Sequence, residues 1–61
     1  MSERLEYLLE QEFFLKELLS QHTKNKDVIW LNREKEFQEY IDAILDELNE
    51  TREEIRYLQN N

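Results

Sequence analysis

The chain has no glycine, no proline and no cysteine. Tight turns, bulges and hairpin loops usually call on glycine or proline, so the lack of both excludes a β-rich fold. Without cysteine there is neither a disulfide nor a Cys/His zinc site to staple a small core. No stretch approaches the roughly 18 apolar residues of a membrane span. Met1-Ser2-Glu3-Arg4 also lacks the basic and apolar regions that open a signal peptide. The expectation is a cytoplasmic protein with no membrane association and no cofactor.

What is present is helix-forming and charged. Charged residues make up 38% of the 61 residues and hydrophobic ones 39%, rich in Leu, Glu, Lys, Arg and Gln, which is the composition of long helices. The net charge is −7. Five acids face two bases in residues 1–22, and nine face four in residues 28–61. Such a surface repels a phosphate backbone, so direct nucleic-acid binding is disfavoured, and the simplest role of the charge is solubility. A single core below about 70–80 residues rarely supplies more than roughly 3–5 kcal/mol, so a homo-oligomer, with a dimer favoured, is expected to supplement it.

The longest pattern runs from Trp30 to Leu58. Phe37, Ile44, Thr51 and Leu58 fall on heptad position d and Ile41, Leu48 and Ile55 on a, with Trp30 one heptad before Phe37. These seven positions from Phe37 to Leu58 are the expected oligomer seam. Upstream, Ser2 is the expected N-cap of a first helix over about residues 3–21, with Glu3 and Glu6 in its first turn. Leu5, Leu8, Leu15, Leu19 and His22 form one stripe, flanked by Leu9 and Phe13 on one side and by Tyr7, Phe14 and Leu18 on the other. That arc is wider than one neighbouring helix covers.

Residues 22–27 break the periodicity and read as the turn of a helical hairpin, with Asn25 suited to a left-handed conformation and Asp27 to an N-cap. Val28, Ile29, Trp30 and Leu31 cannot share one helical face. They fit either the first turn of a second helix over about residues 28–58 or an extended plug followed by a restart at Asn32. Trp30 is expected in the core at the hairpin end in both cases. A second helix of roughly 30 residues outreaches a first of roughly 20 by about 15 Å, which predicts that Thr51 to Leu58 finds no partner in its own chain. The fold class is therefore all-α, an antiparallel hairpin of a short and a long helix, dimerising into a four-helix bundle or coiled-coil-like assembly.

No catalytic set emerges. His22 lacks a nucleophile at a meaningful spacing, and a bundle metal site needs Glu-x-x-His repeats, whereas Leu19 precedes His22 by three. Glu12 stands out because it interrupts the apolar stripe. It specifies register, pairs with a base from another helix or marks a partner surface, unless Lys16 one turn later draws it outward. With Tyr7, Phe14 and Leu18 it makes the candidate partner surface.

The stretch Asn32-Arg33-Glu34-Lys35-Glu36 resembles, in polarity and spacing, the Ser-Gln-x-x-Asp-like signature opening the second helix of small bacterial phosphatases of aspartyl-phosphate response regulators. Ser, Gln and Asp are all replaced here. That resemblance implies Glu34 or Glu36 assisting water. In shape the hairpin is also similar to plasmid copy-number regulators that dimerise into four-helix bundles. The leading expectation is a non-enzymatic, small acidic regulator, adaptor or inhibitor, phage- or bacteria-encoded, that binds another protein. The alternatives are an acidic nucleic-acid mimic, a phosphatase-like hairpin, and a structural or chaperone subunit.

Overall fold

In a computed structural model that describes residues 3–60, the chain folds into α1 (Glu3–Lys24), the single turn α2 (Lys26–Ile29) and α3 (Glu34–Gln59). The described residues hold no strand. The expected cap at Ser2 lies outside them. Cross-helix pairs set the direction: Arg4 meets Glu54, Gln11 meets Thr51, and His22 meets Tyr40. Positions descend on one helix as they rise on the other, so α1 and α3 are antiparallel arms of a hairpin measuring 46 × 15 × 12 Å.

The heptad stripe of α3 closes on α1 of the same chain. Leu8 and Leu15 of α1 and Ile44, Leu48 and Ile55 of α3 are buried, and Leu18, Leu19 and Tyr40 pack against the Leu15–Ile44–Leu48 cluster. Each such side chain contributes about 1.5–3 kcal/mol when fully withdrawn from water. The one polar residue in the stripe, Thr51, is only 4% exposed and accepts a hydrogen bond from Gln11 Nε2 at 3.4 Å. Phe37, Ile41 and Leu58, at the ends and edge of the stripe, are half-buried. No bend occurs at Asn49 or Thr51, and α3 continues through both.

The arms are nearly matched, at 22 and 26 residues, which corrects the expected overhang. The first helix runs on to Lys24, into the anticipated turn at 22–27, and the long second arm starts at Glu34 rather than near 28. Thr51 and Ile55 are consequently buried within one chain, with Arg4 reaching Glu54 beside them. Two local devices produce this. At the end of α1, Asn25 Nδ2 and the Asn25 backbone N–H both donate to the Gln21 carbonyl, and Thr23 Oγ1 donates to the Leu19 carbonyl, so terminal acceptors are satisfied. After α2 the chain bends at Trp30 and turns through Leu31 and Asn32, where Asn32 takes φ 58°. Asparagine tolerates that left-handed conformation better than most residues. The left-handed asparagine is thus Asn32, not Asn25, and α2 starts after Asn25 instead of being capped by Asp27.

Candidate interaction surface

The hairpin end is the natural place to look for chemistry. Trp30, half-buried, donates its indole Nε1–H to His22 Nδ1 at 3.0 Å. An indole N–H only donates, so Nδ1 must hold the lone pair and Nε2 carries the proton, which it gives to Tyr40 Oη at 3.3 Å. Both imidazole nitrogens are occupied in holding three segments together. Tyr40 and Phe37 complete the cluster, with ring centroids 5.3 and 5.8 Å from that of Trp30. Lys26 lies over Phe37 and Arg33 over Trp30, so cations cover the outer ring faces. The arrangement is a clamp joining the end of α1 to the start of α3.

Of the two glutamates singled out near this end, Glu34 is exposed and lines a groove with Lys26, Asp27 and Trp30, while Glu36 is engaged. Glu36 accepts from Arg33 Nε at 2.7 Å, and Arg33 precedes the first turn of α3. Further along α3, Asp42 accepts from Gln38 at 3.1 Å, and at the far end of the hairpin Glu54 accepts from Arg4 at 2.7 Å. No group of three or more potential metal ligands stands together among the described residues.

The outer flanks of α1 are different. Tyr7 and Phe14 are 55% and 59% exposed, and Phe13 on the opposite flank 66%. Leu9 of α1 and Leu45 of α3 are exposed too. The reason is geometric: at 100° per residue an arc holding Leu5, Leu8, Leu15 and Leu19 at its centre, with Tyr7 and Phe13 beyond its edges, exceeds what α3 spans. The Tyr7 and Phe14 side of the hairpin has grooves lined by Arg4, Tyr7, Glu10, Gln11 and Phe14 of α1 and by Glu47, Glu50 and Glu54 of α3. On the other side a groove of about 420 Å³ is lined by Lys16, Leu19, Ser20, Thr23 and Lys24 of α1 and by Leu48 and Arg52 of α3. The grooves differ in charge: four carboxylates and one guanidinium line those on the Tyr7 side, whereas Lys16, Lys24 and Arg52 line the other, on the same side of α1 as Leu9, Phe13 and the Arg52-bound Glu12.

Of the anticipated partner surface, Tyr7 and Phe14 share one exposed flank, while Leu18 is half-buried against the core. Glu12 belongs to the opposite flank, where Arg52 Nε reaches it at 3.0 Å; Arg52 on α3, not Lys16, is its partner. Leu9, Phe13 and Leu45 add to the exposed apolar surface, as does Tyr57 near the end of α3. The first two were marked by their place at the edge of the stripe, whereas Leu45 sits off the heptad and had no periodic signal. Val28 and Leu31 are also exposed, because the bend at Trp30 turns only the indole inward. No described helix is long and apolar enough to cross a membrane. No family model, curated protein or solved structure matches the chain.

Proposed function

We propose that this protein is a non-enzymatic helical docking module that associates with itself and, as a small acidic regulator, adaptor or inhibitor, presents helix surfaces to another protein. The observation that carries this reading is the pair of apolar flanks on α1, where Tyr7, Phe13 and Phe14 are each more than half exposed. Area supports it. A compact monomer of this mass, 7.6 kDa, exposes about 4,300 Å². The hairpin exposes 5032 Å². The surplus of about 700 Å² is close to the roughly 800 Å² that each partner contributes to a standard interface. Two hairpins laid side by side would bury one flank of each in a four-helix bundle, and the heptad residues would then be the inner lining of each hairpin within it.

Sedimentation equilibrium of the full chain tests this. The expected result is a mass above 7.6 kDa that rises with concentration in the micromolar range. A fully helical species of monomer mass at every concentration would contradict self-association. The aspartyl-phosphate phosphatase alternative has less support, since Glu36 is held by Arg33 and the signature residues are replaced.

A further inference from the structure

We infer that the copies associate head to tail, the basic flank carrying Leu9 and Phe13 on one hairpin seating on the acidic flank carrying Tyr7 and Phe14 of the next. The inference rests on the proposed self-association and specifies which surface meets which. The occupant of each flank is a second copy of this chain.

Charge decides among the three possible pairings. Joining two acidic flanks in a two-fold dimer brings Glu10, Glu47 and Glu50 of one copy toward their equivalents, with Arg4, already bound to Glu54, the one base among the described residues lining those grooves. Joining two basic flanks gathers Lys16, Lys24 and Arg52 from both copies, with Glu12 paired to Arg52. Joining unlike flanks puts ammonium and guanidinium groups opposite carboxylates while the aromatic and leucine side chains cover each other. Like-charge juxtaposition is strongly unfavourable across an interface and opposite charge favours encounter and register. Two-fold dimers are the commonest oligomers in general, yet a heterologous contact is the one this charge distribution favours. It leaves one free flank at each end, so assembly proceeds past the pair until a ring closes or a chain grows.

A complementation experiment reads the pairing directly. One variant carries Tyr7→Gln with Phe14→Gln, and the other Leu9→Gln with Phe13→Gln; all four positions are exposed, and glutamine is a good helix former. Head-to-tail association predicts that each variant alone stays near monomer mass, since each lacks one half of the contact. An equimolar mixture should form a 1:1 complex of twice 7.6 kDa and go no further, because each partner keeps one working flank. Helicity measured on the same samples extends the test: a variant that loses helix alone should regain it on mixing. A parallel pair, Glu47→Lys with Glu50→Lys and Lys16→Glu with Lys24→Glu, touches no apolar side chain; each should stay near monomer mass alone, and the mixture should assemble past 1:1, because the two reversed flanks are again opposite in charge.

If one variant still associates alone while the other does not, and mixing adds nothing, the contact is two-fold and head-to-tail pairing is overturned, with self-association left standing. Monomeric wild-type protein would overturn both. Wild-type association unaffected by either variant would also refute the pairing, because neither flank would then be used.

Discussion

Leu8 and Phe13 lie five residues apart on the same helix, one 2% exposed and the other 66%. Both are apolar, and what separates them is direction: Leu8 points to the seam that α3 fills, whereas Phe13 falls beyond the reach of a single neighbouring helix. The inner side of the hairpin is finished within the chain, down to the one polar residue, Thr51, which has Gln11 as its partner. Its outer flanks leave large side chains in water. The comparison separates residues that make the fold from residues available to a second molecule, and each substitution below tests that division.

The largest effect is expected in the seam. Leu48→Ala should cost about 2–5 kcal/mol, the range for deleting a buried leucine side chain, as read by urea unfolding at fixed concentration. Leu48→Asp should abolish helicity by circular dichroism, since a carboxylate there has no partner in the Leu15–Ile44–Leu48 cluster. Retained helicity in that variant would move the core elsewhere. At the turn, Trp30→Ala should cost about 1–3 kcal/mol, less than a fully buried residue because the indole is only half-buried. It removes both the hydrogen bond to His22 and the ring contacts with Phe37 and Tyr40.

Smaller changes are expected outside. Arg52→Gln removes a partly exposed ion pair with Glu12 and should cost about 0.2–1 kcal/mol, less at high salt. Phe13→Gln should alter the stability of an isolated hairpin by no more than about 0.5 kcal/mol, yet weaken association by roughly tenfold in sedimentation. A seam-sized loss of stability in the isolated hairpin would erase the distinction between the two sides of α1.

Much of this division was legible in the residues themselves. The stripe from Phe37 to Leu58 marked the face that α3 buries, because burial in a helix repeats at a fixed angular interval. The all-α fold followed from the missing glycine and proline together with that periodicity. What periodicity alone did not reveal was the partner of the stripe: a heptad looks the same whether it packs on its own chain or another. The matching arm is α1, and the error in length arose at Val28 to Leu31, where four consecutive apolar residues suited a helix start as well as a plug. The structure resolves the ambiguity through contacts distant in sequence, Trp30 to His22 and Tyr40, and through the left-handed Asn32. Glu12 was recognisable as an exception in the stripe, but its partner Arg52 lies 40 positions away and could be identified only in three dimensions.

The most direct test of the central claim, that the outer flanks of α1 are covered by another copy, is the thermal unfolding midpoint of the wild-type chain over a wide concentration series, followed by circular dichroism. Association that stabilises the folded hairpin makes the midpoint rise with concentration. The expected result is that steady rise, lost in the variant carrying Tyr7→Gln and Phe14→Gln. A midpoint independent of concentration, with full helicity throughout, would contradict it.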